Sequence, residues 1–315
     1  MKDRTESSDL ISPTCDWPIC RNDDKRSVTM YNGVRMPLLG LGTTHSGGYS
    51  HDAVVYALRD CGYRSIDTAK RYGVEEQLGK AIKASGVARD ELFLTTKLWP
   101  VDFGASTADA FKQSCQRLDT DYVDLYVLHF AEVPNWFDGQ PRQVREETWR
   151  TLEKLYDAEL CRAIGVSNFV QADLEELLEY CSVRPHANQF EFHIYYNDGQ
   201  LRNFCTEENI LFTGYCPLAK GTILSEPPIV RIANKHHRSP AQICIRWSIQ
   251  HRVPAIPKSL RLDRLRENAQ IFDFELDSRD MDELNQLHNP DRKCVVLDQL
   301  QKKFAMPDGY KLSSG

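Results

Sequence analysis

No run of apolar residues in this 315-residue chain approaches the roughly 18 needed to cross a bilayer as a helix, so a membrane-spanning protein is not expected. The first nine residues hold no hydrophobic segment, so no secretory signal is expected either. Positive charge is short. Lys and Arg number 39 against 45 Asp and Glu, a formal net charge of -6. A general nucleic-acid or anionic-membrane surface needs a basic footprint, which that balance does not supply. The 10 cysteines stand singly, without a Cys-x-x-Cys pair, and no Asn-x-Ser/Thr site occurs. Reduced thiols in a cytosolic, cytoplasmic protein are the plain expectation, with Cys15 and Cys20 the one redox pair worth weighing.

Familiar nucleotide and metal signatures are missing too. Gly40-Leu-Gly42 is not completed at the third glycine of a dinucleotide fingerprint. The stretch from Gly73 to Lys80 has one residue too many for a phosphate loop, and Ala81 stands where Ser or Thr would bind magnesium. There is no His-Glu-x-x-His, EF-hand loop or Gly-x-Ser-x-Gly elbow. His236-His237 reads as a solvated basic helix end, so no metal site is expected.

What is present is the composition of a globular protein, 41% hydrophobic and 27% charged. Residues 1–26 are polar and aperiodic, which predicts a disordered or loosely attached tail ahead of a domain over 27–315. Asn32-Gly33 between two short β-leaning runs predicts a hairpin. A rhythm follows. Strands are predicted over 38–42, 64–67, 92–98, 123–129, 162–167, 187–192, 210–216 and 253–258. Most are continuously apolar, as strands covered on both faces are. Helices are predicted over 51–61, 75–84, 107–118, 143–158, 174–181, 199–208, 240–250 and 262–270. This alternation predicts an α/β fold, a (β/α)8 TIM barrel with an N-terminal β-hairpin cap.

The predicted strands end on residues that a buried strand does not require. Asp67 ends one and delivers Tyr72 five residues on; Lys97 and His129 end two more. Ser167-Asn168 closes another, Gln189 sits within an apolar run, Tyr215 precedes Cys216-Pro217, and Lys258-Ser259 ends the last. Singly each has a plain account: a helix cap at Asp67, Thr68 or Asn168, a lysine or histidine meeting water, Tyr215 or Gln189 as core. Jointly, Asp67, Tyr72, Lys97 and His129 converge on the rim where such barrels place chemistry. A tyrosine is a weak acid near pH 10. An ammonium beside it is expected to lower that value, an aspartate to orient the ammonium, and a neutral histidine to hold a carbonyl oxygen. Such a group can protonate an oxygen as hydride adds to a carbonyl, and the hydride implies a nicotinamide cofactor.

Ser65-Ile-Asp67-Thr-Ala-x-x-Tyr72-Gly, Thr95-Thr-Lys97-Leu-Trp-Pro, Leu125-Tyr-Val-Leu-His129, Gly165-Val-Ser-Asn-Phe169, Asn188-Gln189 and Ile256-Pro-Lys258-Ser, with Arg264-Leu-Arg-Glu267-Asn268, resemble the aldo-keto reductases, in particular the aldose reductase-like branch. The resemblance covers residues 28–287 in the family's order. It implies NADPH/NADP+ as cofactor, a small carbonyl substrate, and a monomer without nucleic-acid or membrane partners. It makes Tyr72 the proton donor, Lys97 its partner, Asp67 the counter-ion of the lysine, and His129 the group that orients the carbonyl. Ser167, Asn168 and Gln189 would hold the carboxamide, with Tyr215 stacked on the nicotinamide and Leu218 beside it. Lys258, Ser259 and Arg264 would take the 2′-phosphate, with Glu267 and Asn268 near the adenine; the plain account of Arg261, Arg264 and Arg266 is a solvated helix face. Trp99, Phe130, Trp136 and Phe137 would line the substrate pocket. Departures fall at Thr44-His45, Phe130-Ala131, Phe192-His-Ile194 and Cys216, and all but Cys216 bear on substrate choice. The alternative is a regulatory or structural relative with little turnover, a channel auxiliary subunit or lens-type protein.

Overall fold

The computed structural model describes residues 25–44, 47–135, 137, 140–197 and 199–295. Most of the predicted tail, with Cys15 and Cys20, lies outside the described residues, as do His45 and Trp136. The eight cysteines within them are free thiols.

The Asn32-Gly33 signal makes the predicted hairpin, β1 (Ser27–Thr29) against β2 (Arg35–Pro37). Gly33 sits at φ 86°, backbone that favours glycine. Seven parallel strands then follow in sequence order, each paired with the next: β3 (Leu41–Gly42), β4 (Ser65–Asp67), β5 (Phe93–Leu98), β6 (Leu125–Leu128), β7 (Ile164–Ser167), β8 (Ala187–Glu191) and β9 (Leu211–Tyr215). Every residue of strands β3 to β8 is buried, which is why most of them read as runs without apolar–polar alternation.

The eighth predicted strand is a seam rather than a ladder. Residues 253–258 touch β9 through Gly214 and the chain just ahead of β3 through Leu39, with Ala255 bridging both. Pro254 and Pro257 have no N–H to give, so only their carbonyls serve: Gly214 donates to Pro254 at 2.8 Å and Gly42 to Pro257 at 3.2 Å. These contacts close the (β/α)8 barrel.

Helices α1 (His51–Arg59), α2 (Glu75–Ser85), α3 (Thr107–Leu118), α4 (Pro141–Asp157), α5 (Gln171–Tyr180) and α6 (Gly199–Glu207) alternate with the strands. Next come α7 (Pro227–His236), α8 (Pro240–Gln250), α9 (Leu262–Ala269) and α10 (Ser278–Asn285). The sequence reading lacks α7 and α10. A leading Pro-Pro looks like a breaker, yet proline at the first helical position loses no hydrogen bond, so Pro227 opens α7. Asp277 caps α10 by accepting from the Asp280 amide at 2.9 Å.

The hairpin docks under the strands' starting ends, opposite the rim. Asn32 donates to the Arg162 carbonyl at 3.0 Å and Tyr31 to that of Arg184 at 2.7 Å. The Tyr31 ring stacks on His186, centroids 4.5 Å apart. Within this contact burial pushes the His186 imidazole down to about 4. Its proton affinity is lower folded than unfolded, so its contribution to stability is present above about pH 6.5 and fades as pH falls toward 4. Unfolding free energy should therefore drop over that range, by up to about 3 kcal/mol from this group. Urea titrations of wild type and His186→Gln at several pH values check this: the variant's profile should be flatter, and parallel profiles would place the acid sensitivity elsewhere.

Candidate active site

The end of β4 carries Asp67, and Tyr72 closes the single helical turn Lys70–Tyr72 just beyond it. Lys97 lies within β5, and His129 directly follows β6. Strand register brings these ends to one rim. The Lys97 side chain is 1% exposed and that of Asp67 5%, and the ammonium binds an Asp67 carboxylate oxygen directly. Lys97 also donates to the Thr68 carbonyl at 3.0 Å, and Gln189 of β8 donates to the second Asp67 oxygen at 2.8 Å. The ammonium lies 5.2 Å from the centre of the Tyr72 ring. The His129 ring meets that of Tyr72 edge-on at 5.7 Å and stacks on Phe130 at 4.9 Å.

The expected lowering of the Tyr72 pKa is not what this geometry gives. Burial first, then the charge of Asp67, push the Tyr72 hydroxyl well above its ordinary value. Lys97 is itself pushed down by burial, with Asp67 working against that shift. Lys97 is spent on Asp67, so Tyr72 keeps its proton. That is the form a proton donor needs.

Ser167, Asn168, Gln189 and Tyr215 form one connected layer. Asn168 donates to the His129 carbonyl at 2.9 Å and to Ser167 at 3.1 Å, and accepts from the Tyr215 hydroxyl at 2.7 Å. The helix-cap account of Asn168 fails, because α5 is capped at Val170, whose amide is held by Asp173 at 3.1 Å. Asn168 instead takes a left-handed turn, φ 62°, as do Cys216 (54°) and Lys220 (56°) on the same wall. Such backbone in non-glycine residues costs energy and concentrates at sites.

These residues line a cavity of about 570 Å³, together with Asp67, Tyr72, Trp99, His129, Phe130, Leu218, Lys258 and Arg264. Lys258 donates to the Gly48 carbonyl at 2.7 Å, and Ser259 lines a small adjoining recess with it. Of the three arginines near α9, Arg261 pairs with Asp263 and Arg266 lies over Tyr56, 5.6 Å from its ring centre; only Arg264 reaches the cavity. Glu267 and Asn268 do not line it. Glu267 accepts from Ser239, the cap of α8, and Asn268 is buried. Phe137 is also away from the wall, packed against the larger core.

The sequence reading missed Arg71, Lys220, Cys294 and Val295 on the wall. The last two are held from below by Glu191, which ends β8 and accepts from the Cys294 amide and from that of Val295 at 2.9 Å. A carboxylate ending an apolar strand was the available signal. Glu191, His193 and Cys294 also bring possible metal-ligand atoms within 4.8 Å of one another. Hydrogen bonds account for that carboxylate.

The layer suits a nicotinamide carboxamide. Asn168 has both amide hydrogens committed but one oxygen lone pair left, and Gln189 keeps one N–H and its carbonyl oxygen. A carboxamide offers the matching donor and acceptor. Arg264 and Lys258 on the same cavity suit a phosphate.

A buried pair broken on one side leaves an uncompensated charge, costing about 3–5 kcal/mol. Lys97→Met should therefore lose stability on that scale, while Asp67→Asn/Lys97→Met should lose much less than the two single variants added together. Urea denaturation of the four proteins measures the coupling, and additive losses would mean the charges do not sustain each other.

The match to known proteins is broad. Residues 38–289 fit the aldo/keto reductase family. An uncharacterized oxidoreductase of Caenorhabditis elegans is 53% identical over 287 residues, covering 91% of this chain and 89% of the relative. The glyoxal reductase of Bacillus subtilis is 44% identical, covering 88% and 98%. The crystal structure of a Bombyx mori aldo-keto reductase in complex with NADP superimposes with a TM-score of 0.80 at 30% identity, over 87% of this chain and 96% of that one. With the barrel and its rim residues in place, the chain belongs to the aldo/keto reductase family of oxidoreductases.

Proposed function

We propose that this protein reduces aldehydes and ketones to alcohols with NADPH, Tyr72 giving the proton. The observation that carries the reading is the convergence of Tyr72, His129 and Asp67 on one cavity that Lys258 and Arg264 also line. Bound NADPH would supply the hydride, which no side chain can. Tyr72 holds its proton because burial and Asp67 disfavour the phenolate, and gives it to the carbonyl oxygen as charge develops there. The imidazole of His129, edge-on to the Tyr72 ring, orients that oxygen. Lys97 and Asp67 fix the acid's surroundings. Asn168 and Gln189 would hold the carboxamide, Tyr215 would lie against the ring, and Arg264 with Lys258 and Ser259 would hold the 2′-phosphate. Trp99 and Phe130, buried and edge-on to each other at 5.6 Å, form the apolar wall for substrate.

Tyr72→Phe should fold and bind NADPH yet lose about 10²- to 10⁴-fold in carbonyl reduction, the range of general acid catalysis. In wild type the acid form is the active one, and its pKa is raised, so the Tyr72-dependent part of kcat/KM should hold up to the ordinary tyrosine value of about 10 and fall only above it. Steady-state rates with a reactive aldehyde across pH decide both, and near-wild-type turnover by the variant would remove Tyr72 from the mechanism.

Cofactor choice follows from the phosphate contacts. Arg264→Ala should weaken NADPH binding about tenfold or more, because a charge-assisted contact is worth roughly 1.5–3 kcal/mol. NADH, without the phosphate, should bind almost as before. Fluorescence titration separates the outcomes: equal losses for both cofactors would make Arg264 part of a solvated helix face.

A further inference from the structure

We propose that Arg71 binds an anionic group on the substrate, so that the carbonyl compounds this protein favours carry a carboxylate. The inference rests on Tyr72 as the proton donor. Arg71 stands between two committed neighbours in the turn Lys70–Tyr72. Lys70 grips both oxygens of Asp102 at 2.7 Å. Tyr72 enters the site. Arg71 lines the cavity and places its guanidinium over the ring of Trp99, 5.4 Å from the centre.

That cation–π contact orients the exposed side chain without consuming its N–H donors. A guanidinium stacked on an indole keeps its N–H donors at the rim of the plane, arranged to meet a carboxylate with two hydrogen bonds. Among the described residues no carboxylate takes up that role. Asp102 is held by Lys70, and Asp67 by Lys97 and Gln189. Asp67 is the only acid among the described residues lining the cavity, against Arg71, Lys220, Lys258 and Arg264. Lys258 and Arg264 are claimed by the cofactor phosphate, and Lys220 donates to the Cys294 carbonyl at 2.7 Å. Arg71 is the charge left for the substrate.

Its position relative to the chemistry fits one molecule reaching both. Trp99 meets the His129 ring edge-on at 5.2 Å, and His129 meets Tyr72 at 5.7 Å. The guanidinium and the imidazole thus both contact one aromatic side chain, Trp99, which keeps the interval between them short. A short carbon chain with an aldehyde at one end and a carboxylate at the other spans that interval. Ordering such a side chain normally costs entropy on binding, and the contact with buried Trp99 removes part of that freedom beforehand.

The test compares two aldehydes of equal length, 4-oxobutanoate and butanal, with NADPH as reductant. Wild type should prefer the acid by about tenfold or more in kcat/KM. In Arg71→Met the ratio should fall to near one, and Arg71→Lys should restore part of it. Reduction of butanal without preference for the acid, or a preference that survives Arg71→Met, overturns the proposal and leaves the reductase reading intact. Calorimetric titration of butanoate, which has no aldehyde to reduce, into NADPH-loaded protein gives a readout independent of turnover. Binding should weaken about tenfold or more in Arg71→Met, and equal affinity in the two proteins overturns the subsite. Failure of wild type to reduce either aldehyde would count against the reductase reading, while the butanoate titration would still judge Arg71.

Discussion

The contact between Lys97 and Asp67 is the constraint on which the site depends. Two opposite charges are taken almost wholly out of water in the barrel, and removal from water disfavours each of them. The arrangement holds because the remaining bonding capacity is also filled, by the Thr68 carbonyl on the ammonium and by Gln189 on the carboxylate. Three strands contribute: β4 brings the acid, β5 the base and β8 the amide. The pair therefore fastens parts of the barrel distant in sequence, and any change in strand register would break it. The same carboxylate raises the proton affinity of Tyr72. One carboxylate thus ties strands together and, after burial, bears on the strength of the acid beside it.

The two ends of the barrel divide the labour. At the starting ends of the strands, the hairpin seals the core with a tyrosine stacked on a neutral histidine. At the other rim, left-handed Asn168, Cys216 and Lys220 turn the chain away from regular structure and expose polar groups to the cavity. Backbone strain at one end is tolerable because the strands beneath are buried and paired in register.

How much of this could be read in the sequence depended on how local the cause was. Strand positions were legible because buried parallel strands are written as continuous apolar runs. Asp67, Tyr72, Lys97 and His129 were legible as polar residues where an apolar strand has no use for them. The seam at 253–258 looked like any other strand, since the loss of two N–H donors at Pro254 and Pro257 matters only once neighbours are in place. Glu267 reads as near the adenine, and the hydrogen bond it takes from Ser239, 28 residues upstream across a helix contact, leaves no trace in the sequence. Arg71 was invisible for the opposite reason: an arginine in a polar turn is ordinary until Trp99 is seen beneath it. The direction of the Tyr72 shift was misread because sequence shows which charges exist but not which of them are already paired.

Glu191 has a consequence for how such a site can diversify. It grips the chain at Cys294 and Val295 through their main-chain amides, and the Cys294 thiol lies beside His193, which Glu191 also holds. Every residue except proline offers the same amide, so these two bonds do not depend on which side chain stands at either position. Substitutions at Val295 can reshape the cavity wall while both amide bonds stay in place, and no barrel strand has to be altered. A fixed catalytic floor with a wall that is interchangeable residue by residue lets one reaction be redirected to new molecules by replacing a few side chains.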